Sequence, residues 1–287
     1  MRYYATLCDY AYLPRALVLY ESLVKHSSEA FRLNVLPLDS KTEDILTNME
    51  LPSLCVLGYR AFESDQHLRG LFETRTHQEY AWTCASQLCE WLLFCEDCSY
   101  PELTYLDADM MFFSDPKQVF DEIGERSIGI IPHRFIPEKQ YLAVNGQFNV
   151  SWVSFKNTPA GRDCLSTWAR QVRERCSATE GCGDQKYLDE WPSKYGDEVC
   201  VIQNPGAGLA PWNIANYSLT DGPLVDGKPV VFYHYHEFKE IGTDGWNFMF
   251  QLTNYHLRPE DAIIYSPYID AYKRAKETIE SLRIQSR

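Results

Sequence analysis

Two carboxylates one residue apart, Asp107 and Asp109, lie inside the otherwise apolar stretch Leu103-Thr-Tyr-Leu-Asp-Ala-Asp-Met-Met-Phe-Phe113. Unpaired charge among apolar neighbours is costly. A divalent cation offsets that cost for two acids at a strand end and can in turn hold phosphate oxygens. The same acids could instead cap the next helix or sit solvated in a turn. Tyr105 and Leu106 before the pair and Met110, Met111, Phe112 and Phe113 after it favour the metal reading. A second apolar strand breaks into polar residues at Val230-Val-Phe-Tyr-His-Tyr-His-Glu-Phe-Lys239. There His234 and His236 are expected to share one strand face. An imidazole beside two carboxylates is a donor set for Mn²⁺ that tolerates Mg²⁺, and Lys239 would add a compact positive charge. Asp184-Gln185, after Gly181-Cys-Gly183, is expected to open a helix, with Asp184 as its N-cap or facing a ligand. Asp9 and Tyr12 follow the first strand, where a nucleoside could meet them.

These residues need a scaffold that brings strand ends to one edge. Tyr3 to Cys8 reads as a strand, and Leu13, Leu17, Leu19, Leu23 and Val24 as the apolar face of a helix with Pro14 in its first turn. Leu33 to Leu38 reads as a strand, Lys41 to Met49 as a helix and Leu54 to Leu57 as a strand. This β-α-β-α-β opening implies a parallel, doubly wound sheet with right-handed crossovers. Glu79 to Glu96 reads as a long helix, with Tyr80, Ala81, Leu88, Trp91, Leu92 and Cys95 at helical spacing. Ser114-Asp115-Pro116 turns the chain away from the acids into a short helix, Gln118 to Ile123. Further strands are expected at Ile128 to Pro132, Val150 to Phe155 and Val199 to Gln203, with a helix from Pro159 to about Cys176. Gly206-Ala-Gly-Leu-Ala-Pro-Trp-Asn213 reads as a loop outside the core. No glycine-rich phosphate-binding fingerprint is present.

The chain of 287 residues, 45% hydrophobic and 14% aromatic, can bury a large core as one domain. A net charge of -13 argues against a nucleic-acid partner, which requires a basic footprint. The ten cysteines form no zinc pattern. Cys84, Cys89 and Cys95 read as reduced core residues and Cys98, Cys176 and Cys182 fit no short secreted scaffold, so a reducing compartment is expected. With no room for a signal peptide and no membrane-spanning run, the expectation is a cytoplasmic protein. The terminal segment Ala271 to Arg287 carries Lys273, Arg274, Lys276, Arg283 and Arg287, with Ala275, Ile279 and Leu282 on one helical face. It could rest on an anionic membrane or simply pack on the domain.

Taken in order, these features resemble the GT-A-fold nucleotide-sugar glycosyltransferases of the glycogenin and lipopolysaccharide-galactosyltransferase branch. The motifs are Asp9 and Tyr12, Asp107-Ala-Asp109, Phe148-Asn149-Val-Ser-Trp-Val-Ser-Phe155, Asp184-Gln185, and the histidines with Lys239. The resemblance implies one α/β domain with a Rossmann-like, mostly parallel central sheet flanked by helices. Its nucleotide-binding half would span about 1–115, and its acceptor-side half with the C-terminal helix about 116–287. It implies a donor site formed by Thr6, Asp9, Tyr12, Asp107, Ala108 and Lys239, and a metal site formed by Asp107, Asp109 and His234 or His236. It also implies Asp184 and Gln185 at the reacting sugar and hexose transfer from a UDP-type sugar to a glycan or lipid-linked acceptor, with retention. Two departures stand out: Glu237 replaces the glycine that follows the family's histidine, and Trp82 replaces a basic residue in the long helix. A silent sugar-nucleotide-binding protein and a strand-end phosphohydrolase are the alternatives, the latter weakened by Met111 where that motif has Thr or Val. Oligomeric state is left open.

Overall fold

The computed structural model describes residues 1–60, 66–95, 100–179, 181, 183–241, 245–247 and 258–285; Cys98, Cys182 and Arg287 lie outside the described residues. The chain opens with β1 (Arg2–Cys8), α1 (Leu13–His26), β2 (Phe31–Pro37), α2 (Ser40–Met49), β3 (Leu54–Val56), α3 (Gln66–Thr74) and α4 (His77–Phe94). It continues through β4 (Glu102–Leu106), β5 (Met110–Phe112), α5 (Lys117–Ile123), β6 (Ile128–Pro132), β7 (Phe148–Lys156), α6 (Pro159–Glu174), α7 (Trp191–Tyr195) and β8 (Val199–Val201). Short strands β9 (Leu219–Thr220), β10 (Leu224–Val225) and β11 (Lys228–Pro229) precede β12 (Phe232–His234), β13 (Lys239–Ile241), β14 (Gly245–Asn247) and the closing helix α8 (Ala262–Gln285).

Among the described residues the central sheet has seven strands in the order β3-β2-β1-β4-β7-β6-β8. The first four run parallel, as the opening alternation predicts. β7 is antiparallel to both β4 and β6, and β6 is parallel to β8, so the sheet is mixed but mostly parallel. A strand such as Val150 to Phe155 carries no sign of its direction, because a strand covered on both faces looks alike either way.

The helices follow their caps. Asp39 accepts from the Thr42 amide at the start of α2, and Thr158 accepts from Gly161 at the start of α6. α4 begins two residues before the expected Glu79, because Thr76 and Glu79 form a reciprocal capping box. α1 has Pro14 in its first turn and buries Leu13, Leu17, Leu19 and Leu23, each worth about 1.5–3 kcal/mol of transfer free energy. Val24 and Trp91, expected on buried faces, are exposed at 54% and 42% because their helices turn these positions outward.

Two expectations need correction. The acid-bearing stretch is two strands rather than one, since β4 ends at Leu106 and β5 begins at Met110, with the two carboxylates in the break. β5 leaves the central sheet to pair antiparallel with β12. The glycine-rich segment is a loop, as expected, but one that lies in the core: Ala207, Leu209, Ala210, Trp212 and Asn213 are buried. Its small residues allow that, because a Cβ on Gly206 would lie 2.1 Å from the Pro229 carbonyl oxygen and Gly208 has φ +73°. The C-terminal helix starts at Ala262 and buries Tyr268, Ala271, Tyr272, Ala275 and Ile279 within the core that also holds α1. No helix among the described residues is long and apolar enough to cross a membrane.

Candidate metal and donor site

The break between β4 and β5 is held by backbone bonds on both sides. The Asp107 amide donates to Ser151 on β7 at 3.2 Å, and the Asp109 carbonyl accepts from Tyr235 at 2.8 Å. The antiparallel register places His234 opposite Met110, and the His234 amide donates to Leu209 at 2.8 Å. The imidazole is thereby carried to the two acids. His234 Nε2 lies 3.0 Å from Asp109 Oδ1 and 3.7 Å from Asp107 Oδ2, and one ligand atom from each residue falls within 4.8 Å of the others. Ala108, buried between the acids, leaves room for both side chains to converge.

The electrostatics are those of a site short of positive charge. Burial and the neighbouring Asp109 push Asp107 up to about 6, against the pull of His234 and a hydrogen bond with Tyr105. Burial also opposes ionisation of Asp109, but the His234 charge and hydrogen bond hold it down at about 2. His234 itself, though buried, is raised by the two carboxylates. Two carboxylate oxygens and an imidazole nitrogen at this spacing fit a divalent cation, and the elevated Asp107 is the group such an ion would relieve.

His236, expected on the same strand face, is not in this cluster. β12 ends at His234, and the chain turns through Glu237 at φ +58°. His236 Nε2 faces Glu237 at 3.9 Å, its ring lies 5.6 Å from that of His234, and burial with the His234 charge lowers it to about 4. Lys239 is exposed at the start of β13, outside the triad.

The other expected residues surround this centre at different depths. Asp9 accepts from the Tyr12 amide at 2.8 Å, and its other oxygen pairs with His77 Nε2 at 2.8 Å. Loss of water and then the charge of Asp109 push the Tyr12 phenol to about 12, with smaller effects from Asp107 and Asp9. Thr6 is buried in β1, its hydroxyl without a partner among the described residues. Asp184 is the first residue of a 3-10 turn whose N-cap is Gly183, and its carboxyl accepts from the Gln185 amide. It is buried with its carbonyl accepting from Trp168 at 2.9 Å, and burial together with the Asp107 charge pushes its carboxyl to about 8. Gln185 accepts from Asn149 at 3.3 Å and donates to the Asn145 carbonyl at 3.2 Å.

Sequence reasoning missed four residues here. Arg15 and His77 are single polar positions in helices and carry no local signal. His133 is buried, lowered to about 3 mainly by desolvation, and touches Asn149 at 3.2 Å. Trp212 packs edge-on against His133, His234 and His236 at centroid distances of 5.2, 5.4 and 5.3 Å, which makes it the hub of the imidazole cluster. A tryptophan bracketed by glycines and alanines was the available sign.

No family model matches the chain. Among solved structures it is similar to the galactosyltransferase LgtC determined with donor and acceptor sugar analogs, with TM-score 0.54, 17% identity, and 97% of this chain and 95% of that one covered. It is also similar to mouse xyloside xylosyltransferase 1, with TM-score 0.53, 13% identity, and 82% and 97% covered. These likenesses show the GT-A-type fold. In sequence the chain is 31% identical to the uncharacterized protein YfnF of Bacillus subtilis (strain 168) over 257 residues, covering 83% of this chain and 82% of that protein. With that identity sustained over most of both chains, this protein belongs to the family of YfnF.

Proposed function

We propose that the protein is a metal-dependent glycosyltransferase that moves a hexose from a nucleotide-diphosphate sugar, of UDP type, to a glycan or lipid-linked acceptor with retention of configuration. The observation that carries this reading is the convergence of Asp107, Asp109 and His234 at the end of β4, on a fold shared with glycosyltransferases. These three residues would hold Mn²⁺ or Mg²⁺, which when bound supplies Lewis acidity and a template for a departing diphosphate. Asp9, Tyr12 and Thr6 at the end of β1 would meet the nucleoside, and Lys239 the phosphates. The nucleotide-binding half at about 1–115 and the acceptor half at about 116–287 would share one metal, since His234 comes from the second.

Asp184 and Gln185 would face the sugar. Near neutral pH Asp184 is held protonated partly by the Asp107 charge. Once that charge is compensated, Asp184 ionises more readily and can stabilise a positive anomeric centre. His234 must give up its proton to offer a nitrogen lone pair. The exposed Lys273 and Arg274 of α8 would add weak, salt-sensitive contact with an anionic membrane bearing a lipid-linked acceptor.

Incubation with a panel of nucleotide sugars, with Mn²⁺ or with chelator, followed by mass spectrometry tests the reading. Metal-dependent release of nucleoside diphosphate or transfer of sugar supports it. Metal-dependent binding with an unchanged donor would make the protein a sugar-nucleotide sensor, and release of inorganic phosphate a phosphohydrolase.

A further inference from the structure

Arg15 lies in the first turns of α1, 8% exposed, and among the described residues no carboxylate forms a salt bridge with it. Its guanidinium donates to two carbonyls from distant parts of the chain, Ala11 at 3.0 Å and Phe238 at 2.7 Å. It also lies over the rings of Tyr12, 4.5 Å away, and of Tyr272 in α8, 5.4 Å away. A buried cation hydrogen-bonded only to carbonyls, with aromatic faces beside it, is neutralised by no salt bridge, and its charge favours the ionised form of Asp109.

The two carbonyls belong to the two turns that flank the acid cluster. Ala11 sits in the turn in which Asp9 accepts from the Tyr12 amide. Phe238 ends the turn that follows His234 and precedes Lys239. That second turn contains Glu237 at φ +58°, a conformation that a non-glycine residue keeps only where its surroundings impose it. The Phe238 amide donates to Tyr235, whose own amide donates to Asp109, so the turn is pinned at one end by Asp109 and at the other by Arg15.

Resting on the nucleotide-sugar reading above, we infer that Arg15 is a positioning residue that holds the Asp9–Tyr12 and His234–Lys239 turns at a fixed separation and sets a positive charge behind the diphosphate of the donor. Its charge favours an anion and opposes a cation, which gives the inference a signature that loss of packing cannot copy. Removing the charge weakens binding of a nucleoside diphosphate while leaving binding of the bare metal unchanged or tighter.

The test is calorimetric titration of UDP into the full-length protein at saturating Mn²⁺, with Mn²⁺ alone titrated separately, for the native protein, Arg15→Met and Arg15→Lys. The expected result for Arg15→Met is a loss of UDP affinity of about 10- to 100-fold, the range for removing charged hydrogen bonds, with Mn²⁺ affinity equal or higher. Arg15→Lys keeps the charge but lacks the planar fork that reaches two carbonyls, and recovers part of the UDP affinity. Native protein that binds UDP beside Arg15 variants that bind it equally well would overturn the positioning role and leave the nucleotide reading intact. Parallel loss of UDP and Mn²⁺ affinity would overturn it too, in favour of packing alone. Failure of the native protein to bind UDP would overturn the nucleotide reading and this inference together. If Arg15→Met does not fold, Arg15→Lys and Arg15→Gln carry the same comparison.

Discussion

Metal affinity should rise steeply with pH, and His234 should be the main reason. At 3.0 Å from Asp109 and 3.7 Å from Asp107, a protonated His234 has gross attractions of about 5 kcal/mol each at an effective dielectric of about 20. Much of that offsets the desolvation of three buried groups. The balance raises His234, so the nitrogen that would bind metal holds its proton more tightly than a free imidazole does. Asp107, at about 6, is a second proton holder, whereas Asp109, at about 2, is already ionised. Each proton that must leave makes affinity climb tenfold per pH unit. From about pH 5 to about pH 7 the gain in Mn²⁺ affinity is therefore roughly 10²- to 10³-fold, with His234 and Asp107 as the proton donors. Calorimetry in buffers of different ionisation enthalpy counts those protons directly. His234→Gln should lose one proton from the count and more than the roughly 10- to 100-fold in affinity that follows loss of a supporting hydrogen bond. His236→Gln should keep the native slope, because His236, at about 4, is already neutral across the window. An affinity flat in pH, or a slope lost in His236→Gln and kept in His234→Gln, refutes the assignment.

Asp107→Asn and Asp109→Asn should each lower metal-dependent sugar release by roughly 10²-fold or more with the circular-dichroism spectrum retained; near-native turnover in both would remove the metal from the reaction. Asp184 lies at about 8 when folded, above the unfolded carboxylate value of about 3.9. Its contribution to stability is therefore complete below about pH 4 and lost as pH climbs through 8. Metal-free Asp184→Asn should accordingly exceed the native protein in stability by about 1–3 kcal/mol near pH 8 and converge on it toward pH 4, as denaturant melts at both pH values would show. Trp152→Ala, which removes a ring stacked on Phe232 at 5.5 Å and packed against Phe112 and Phe120, should cost about 3–5 kcal/mol by the same melts. Replacing Lys273 and Arg274 together by Gln should abolish low-salt sedimentation with anionic vesicles while leaving the melting temperature unchanged; no sedimentation by the native chain would leave α8 as packing alone.

The alternation of strands and helices up to Val56 was legible because each element carries a clear apolar period and ends in a recognisable turn. Asp107 and Asp109 were legible because charge in an apolar stretch is an anomaly wherever the stretch folds. The choice between His234 and His236 was not: period-two reasoning assumes a strand continues, and β12 stops at His234. Direction was hidden in β7 for the reason already given. The burial of Gly206 to Asn213 was hidden because small residues serve loops and close-packed backbones equally well, and only the Pro229 carbonyl beside Gly206 separates the two. Arg15, His77, His133 and Trp212 gain their meaning from partners far along the chain, such as Phe238 for Arg15, and no local window contains both.

The pairing of β5 with β12 sets Met110 against His234, so the acids and their imidazole partner are separated by more than a hundred residues of chain. During synthesis the acids emerge long before the histidine. A partly made chain therefore has two carboxylates and no nitrogen ligand, and full metal affinity would arrive only when β12 has docked and closed a long loop. With metal bound, the triad would act as a completion check: a product truncated before His234 would lack the third ligand, and chelation should loosen the finished protein first at the β5–β12 ribbon, where hydrogen exchange would register it.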